Sequence, residues 1–373
     1  MRCFLLLLVL SCLLAAPVLA MQMICDNFPY TDNPTLAKAG LHGPVKTVCS
    51  YIAKGGVLME ELTFDAKGRL VKEMYYHPNT GKLLWTHLYA YNETGLLLKA
   101  TASGQFVKET GASGTYAYDG KGNLLTLTIY DTAGKPLRKF SSTYDAQGHK
   151  LTEDDAAWDS QQQLHVYHQE CRRYNEYGDI IAWRIGGPKD NDAKTVSTTY
   201  QYAPDGAMLR SEDNWSDGQK ALHVYTAQGK LLEDLYIPLV VPGKYSTGDY
   251  KHERYTYNKT GNVTQLAGYD EKNRLTYRRE YDYNTAGKKI EERFYNSRPG
   301  QQELTLWRKL LYRYDKQGQK IEETVLMSTD RPDIFSTTVH HWSYDAYGNM
   351  IDMPNTNSYH AAVATYREYT YFK

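Results

Sequence analysis

Polar and apolar positions alternate with a period of two over most of this chain, and one five-residue phrase repeatedly interrupts the alternation. The phrase is an aromatic residue, Asp or Asn, two free positions and Gly, with an apolar residue two or three places later. It starts at Phe64, Tyr91, Tyr118, Tyr130, Tyr144, Tyr174, Tyr202, Tyr225, Tyr257, Tyr269, Tyr283, Tyr314 and Tyr344. The second position is Asp or Asn in eleven of the thirteen, Ala203 and Thr226 being the exceptions. The fifth is Gly in twelve, and Asn273 stands there in the remaining one. Asp or Asn at the first corner of a type I turn bonds back to the backbone, and Gly accepts a positive φ without strain. Each phrase therefore predicts a tight reversal between antiparallel strands, with a bulge at the glycine.

The flanks agree. Aromatic-x-aromatic pairs such as Tyr89 and Tyr91, Tyr116 and Tyr118, or Tyr255 and Tyr257 precede many of the turns and share one strand face. An apolar residue, from Leu70 to Met350, leads the next strand. No stretch of the mature chain has a helical period with a cap at its start. The reading is an all-β chain, a continuous antiparallel meander wound into a barrel-like or spiral shell. Tyrosines at fixed register, among 34 in all, read first as cross-strand ladders.

The intervals between phrases contain a second repeat. From Phe64 they run 27, 27, 12, 14, 30 and 28 residues, and from Tyr202 they run 23, 32, 12, 14, 31 and 30. Tyr118, Tyr130 and Tyr144 are matched by Tyr257, Tyr269 and Tyr283, each shifted by 139. A unit of about 140 residues is thus present twice, over 64–201 and 202–343, within one repeat domain spanning 44–373. Tyr76 to Gly81 and Tyr295 to Gly300 read as turns with one extra residue, and those at Trp158 and Trp215 as shorter remnants.

Residues 1–20 read as a cleaved secretory signal: Arg2, an apolar run, and Val18-Leu19-Ala20 at the cleavage site. Residues 21–43 form an irregular leader. The implied location is the periplasm or the medium, where a Cys25–Cys49 bridge and three unpaired thiols are the open alternatives. Cys171 reads as an apolar filler, since Leu311 stands at its place in the second copy. The charge is balanced, with 43 basic and 43 acidic residues, so no basic stripe points to nucleic acid. Charges on both faces of strands such as KKIEERFY exclude a membrane-spanning barrel.

Candidate chemistry is sparse. The carboxylate pairs Asp154–Asp155, Glu291–Glu292 and Glu322–Glu323 recur at equivalent repeat positions, as a solvated face does and a unique catalyst does not. His165 with His168, and His340 with His341, point to opposite strand faces and do not chelate one metal. No metal, cofactor or catalytic residue is expected. Trp158 and Trp215, in degraded turns, are the candidate ligand platform for a glycan or a protein partner, against stray surface indoles as the alternative.

The phrases FDAKGRL, YDGKGNL, YDAQGHKL, YNKTGNV and YDAYGNM resemble the YD repeats of the Rhs family, and the opening LHGPVKTV is similar to small exported YD-repeat proteins of Gram-negative bacteria. The resemblance covers about residues 41 to 373. In large members such repeats build a β-sheet shell around a toxic C-terminal domain, and carbohydrate binding has been proposed for the repeats. This chain lacks the DPxGL-type signature and a variable domain, so the resemblance implies the fold without the toxin-delivery role. Three functions follow in order: a non-enzymatic exported binding or scaffold protein of the cell envelope, a periplasmic immunity or accessory partner of a secreted toxin system, and an unrecognised hydrolase.

Overall fold

The structure is a computed structural model and describes residues 34–104, 112–188, 193–238, 250–297, 303–328, 335–352 and 366–373. The expected signal segment and Cys25 lie outside these residues. The chain forms two compact units, one of Met1–Tyr167 with Asn357–Lys373, the other of His168–Thr356.

The strands of the first unit are β1 (Val45–Tyr51), β2 (Leu58–Phe64), β3 (Leu70–Tyr76), β4 (Leu83–Tyr91), β5 (Leu97–Gly104), β6 (Ser113–Tyr118), β7 (Leu124–Tyr130), β8 (Pro136–Tyr144) and β9 (Lys150–Trp158). The second unit takes in most of β10 (Leu164–Tyr174), then β11 (Ile180–Gly186), β12 (Lys194–Tyr202), β13 (Met208–Trp215), β14 (Lys220–Tyr225), β15 (Leu231–Ile237), β16 (Lys251–Tyr257) and β17 (Val263–Tyr269). It continues through β18 (Leu275–Tyr283), β19 (Lys289–Ser297), β20 (Leu304–Tyr314), β21 (Lys320–Ser328), β22 (Phe335–His341), β23 (Ser343–Tyr344) and β24 (Met350–Asp352). The last strand, β25 (Tyr366–Tyr371), returns to the first unit and pairs antiparallel with β1, Val48 opposite Tyr369. Within each unit successive strands pair antiparallel, for example Tyr116 opposite Leu127 and Tyr255 opposite Leu266. All described strands are antiparallel members of a meander, and the described residues contain no helix.

Every phrase builds the turn its residues predict. At Asp65 the amide donates to Arg69 O (2.9 Å), Gly68 N–H donates to Asp65 O (2.9 Å), and the carboxylate accepts from the amides of Lys67 and Arg69 (2.9 and 3.0 Å). The carboxylate thereby replaces water on two amides that the reversal leaves unpaired. Asn273 takes the glycine place at φ 56°. Trp158 corrects the reading of its turn as a shortened remnant. Asp159 N–H donates to Gln163 O, and Gln162 sits in the glycine place at φ 62°, so this is a full-length turn of the same kind.

The uneven intervals now have a cause. A turn at one edge of a meander recurs every second strand, which is the long interval. The turns at Phe64, Tyr91, Tyr118 and Tyr144 in the first unit each lead from an even strand to the next odd one. In the second unit the same is true at Tyr174, Tyr202, Tyr225, Tyr257, Tyr283 and Tyr314, and at Tyr344 once β22 and β23 are taken as one strand interrupted at Trp342. Only Tyr130 and Tyr269 lie at the other edge of their unit, and they alone create the short 12- and 14-residue intervals.

The regular edge is tied along its length by the motif tyrosines. Tyr118 OH donates to Leu97 O (2.9 Å), Tyr144 OH to Leu124 O (2.9 Å), Tyr283 OH to Val263 O (2.7 Å) and Tyr314 OH to Lys289 O (2.6 Å). Each hydroxyl reaches the first residue of the strand that follows the preceding turn on that edge. Such a bond is worth about 1 kcal/mol net, and more when its loss leaves a carbonyl dry. The glycines also serve the stacking of turns: a Cβ on Gly122 would meet Leu96, and one on Gly261 would overlap the Lys230 ammonium.

Two apolar clusters lie in the first unit. One joins Leu97, Ala100, Tyr116, Leu127 and Ile129 across β5, β6 and β7. The other joins Leu41, Val45, Val48, Phe64 and Leu70, with Leu36 of the leader packed on it. The leader is fixed to the first turn, Leu36 N–H donating to Gly68 O (2.9 Å) and Leu70 N–H to Pro34 O (3.0 Å).

Three turns depart from the expected lead residue. Leu151, Ile290 and Ile321 come one place late, and the strands start instead with Lys150, Lys289 and Lys320. Each lysine pairs with the Glu three residues on, at 2.5, 3.0 and 2.9 Å. Ile290 is left exposed.

Candidate functional site

One cluster of charged residues in the second unit runs across β13 to β18. Strand alternation and pairing bring Asp213, His223, Asp234, Glu253, Gly268 and Tyr277 into a diagonal row: His223 lies opposite Asp234, Asp234 opposite Glu253, Glu253 opposite Gly268, and Gly268 opposite Tyr277. Lys251 Nζ sits between two carboxylates, 2.6 Å from Asp234 Oδ2 and 3.1 Å from Glu253 Oε2. His223 Nδ1 is 3.2 Å from Asp234 Oδ1. Tyr255 OH donates to Glu253 Oε2 (2.6 Å), and Tyr277 OH donates to Oε1 of the same carboxylate from two strands away.

Gly268 makes that reach possible. A Cβ on it would fall 2.1 Å from the Tyr277 ring, so the ring lies across the bare glycine to touch Glu253. Here the glycine has no positive φ to satisfy; its service is close approach.

The ionisation of the cluster follows from its contacts. Burial pushes the Asp234 carboxyl up, and hydrogen bonds from His223 and Lys251 outweigh it, leaving the group below its ordinary value. Glu253 is likewise pushed up by burial and held down on balance by Tyr255, Tyr277 and Lys251. His223 is raised by its bond to Asp234, against burial. Lys251 is lowered by burial and raised on balance by its two carboxylates. The charged forms of His223 and Lys251 and those of Asp234 and Glu253 thus favour one another.

The carboxylate pairs singled out in the sequence do not meet one another as a catalytic pair must. Asp155 is bound by Arg138, Glu291 by Arg293 and Lys309, Glu322 by Arg313, and Glu323 by Lys320. Of the histidines, His165 Nε2 lies 2.9 Å from Asp159 Oδ2, and His341 Nδ1 lies 3.7 Å from Glu322. No group of three or more His, Cys, Asp or Glu able to hold a metal occurs among the described residues. Cys49 is half-buried in β1, its thiol pushed up by burial and by Glu61; Cys25, its partner in one of the two alternatives, is outside the described residues.

Trp158 and Trp215 end β9 and β13, and both indoles are half-buried. Trp215 packs edge-on against Tyr236 at 6.3 Å. The aromatic rings that do stand out at turn tips are Tyr177 and Tyr347, 56% and 50% exposed. Both occupy the free position just before a turn glycine, where sequence alone assigns no role. Tyr177 stacks on Tyr202 at 4.3 Å, and Tyr202 is pinned by donating to Asp179 (2.6 Å) and accepting from Asn175 (2.7 Å).

No family model matches the chain. Among solved structures it is similar to a complex of TcdB2, TccC3 and Cdc42, at 13% identity and TM-score 0.30, covering 83% of this chain and 19% of that one. A Photorhabdus luminescens Tc holotoxin pore gives 14% identity and TM-score 0.30 over 83% of this chain and 19% of its own. A porin-like protein from Bacteroides uniformis gives 12% and 0.23, covering 80% of this chain and 95% of that one. The chain thus spans about a fifth of the length of the toxin-complex chains it matches.

Proposed function

We propose that this chain is an exported YD-repeat scaffold that binds a saccharide or a protein at its turn tips and carries out no chemistry on it. The observation that supports this reading best is the Tyr177–Tyr202 platform. One ring is open to solvent, the ring beneath it is fixed by two hydrogen bonds, and both stand on the regular edge of the second unit. A rigid, flat, amphipathic ring at a loop tip gives contact area at little cost in side-chain entropy. Asp155, Glu291 and Glu322, which a hydrolase would need free, are instead paired across strands with Arg138, Lys309 and Arg313.

The test is a glycan array probed with the mature chain and with Tyr177→Ala. Binding by the first and at least tenfold weaker binding by the second is the expected result. Undiminished binding by Tyr177→Ala removes the platform, and no glycan bound by either removes the saccharide. Export is tested separately by N-terminal sequencing of the protein from the envelope fraction, expected to begin at Met21.

A further inference from the structure

The two copies of the 140-residue unit place very different groups at one location. Aligned on their turns, Tyr75, Tyr89, Ala100, Ala112 and Gly114 of the first correspond to Asp213, His223, Asp234, Lys251 and Glu253 of the second. The first copy is packed there: Ala100 is 1% exposed and belongs to the cluster of Leu127 and Ile129. In the second copy, the same strands are joined across their faces by ions.

We propose that this cluster is a proton-dependent clasp, in which charged His223 holds β13, β14 and β15 together and its discharge loosens the second unit while leaving the first unchanged. The geometry supplies the reason. His223 on β14 faces Asp234 on β15 at 3.2 Å, and Asp213 on β13 lies diagonally across from it. Ser211 and Tyr225 are the other polar groups beside it, and Lys251 on β16 faces Asp234 from the far side. Beyond Lys251 stand Glu253 and the hydroxyls of Tyr255 and Tyr277, with Arg279 close to Tyr277. With His223 charged, two cations meet three carboxylates. Without that proton, Asp213 and Asp234 flank a neutral ring and only Lys251 remains to offset them.

The sign follows from the direction of the histidine shift. His223 is raised above its ordinary 6.5, so its contribution is complete below that value and is lost as the pH rises through the folded-state value. Asp234 and Glu253 are lowered, so theirs is lost only in acid, below the ordinary carboxylate range. The second unit is accordingly firmest in mildly acidic solution.

The experiment is hydrogen exchange on the full mature chain at pH 6.0 and 8.5, each amide corrected for its intrinsic rate. The expected result is a loss of protection over β13 to β15 on going from pH 6.0 to 8.5, with β5 to β8 unchanged. His223→Gln should show the lower protection already at pH 6.0 and no further fall. Equal behaviour of both regions in the native chain overturns the proposal, as does a fall that persists in His223→Gln. Should His223→Gln not fold, the titration of the His223 ring proton by NMR decides instead. A midpoint above 6.5 that moves down in Asp213→Asn sustains the clasp, and one at or below 6.5 overturns it.

Discussion

Leu127 and Ile129 of β7 are almost wholly buried among Leu97, Ala100 and Tyr116, whereas of their counterparts on β17, Leu266 lies opposite Tyr255 and Gly268 opposite Glu253. The backbone pairing is the same: Gly114 lies opposite Ile129 as Glu253 lies opposite Gly268, and Ile129 opposite Arg138 as Gly268 lies opposite Tyr277. A repeat of this kind fixes its turns and register and leaves the covered face free to vary. Over β5 to β7 the first unit fills that face with apolar side chains, and its His87–Glu73 pair lies on β4 and β3. The second fills it with charge, and must then match each charge, because an unpaired buried ion costs several kcal/mol.

The comparison is broken most severely by Leu127→Ala, which should cost about 2–5 kcal/mol by opening a cavity in a fully covered site. Urea unfolding followed by a first-unit probe should show this loss. Removing Glu253 attacks the second unit as sharply in kind but less in size. Glu253→Ala leaves two tyrosine hydroxyls unpaired and Lys251 with one carboxylate, and about 1–3 kcal/mol should be lost. The triple change Asp234→Ala, Lys251→Ala and Glu253→Gly, which installs the residues of the first copy, leaves the same two tyrosine hydroxyls unpaired and also takes Asp234 from His223. It should cost more than Glu253→Ala alone, because truncation opens space and strands a charge that no hydrocarbon replaces. A triple variant as stable as the single one would show that Asp234 and Lys251 support the second unit only through Glu253. Gly268→Ala tests the crossing tyrosine: its methyl lies within the Tyr277 ring, so about 1–3 kcal/mol should go with the Tyr277–Glu253 bond.

Much of this was legible beforehand, for a physical reason. Turn chemistry is local, so Asp65 to Gly68 states its geometry within one phrase, and the period of two assigns strands without knowledge of partners. The ten-strand correspondence between Tyr118 and Tyr257 also lies in the sequence, because spacing survives when side chains change. What was not legible is non-local. Nothing near Tyr277 says that it crosses β17 to reach Glu253, a contact between residues 24 apart that depends on Gly268 between them. Trp158 was misread because Gln162 hides a left-handed backbone behind a residue seldom found there. Lys150, Lys289 and Lys320 are masked as strand starts by the leucine or isoleucine that follows each. Tyr177 and Tyr347 carried no signal at all: a free position in a turn has no preferred residue.

The smallest contrast between the copies is also the cleanest. Gly134 and Asn273 occupy the same place in the turns at Tyr130 and Tyr269, at φ 80° and 56°. A Cβ at Gly134 would meet nothing within 4 Å, so a substitution there acts through the backbone alone. An L-residue pays about 1–2 kcal/mol in the left-handed region, and Asn pays least among those with a side chain. Gly134→Asn should therefore lower the stability of the first unit by about 0.5–1 kcal/mol, and Gly134→Ala by about 1–2 kcal/mol. Asn273→Gly should raise the second unit by at most about 0.5–1 kcal/mol, since the flexibility glycine adds to the unfolded chain opposes the relief of strain. Denaturation midpoints of the three variants, each read in its own unit, check the order. If Gly134→Asn proves as costly as Gly134→Ala, the side-chain amide gives no help in this turn, and Asn273 is held in place by its neighbours alone.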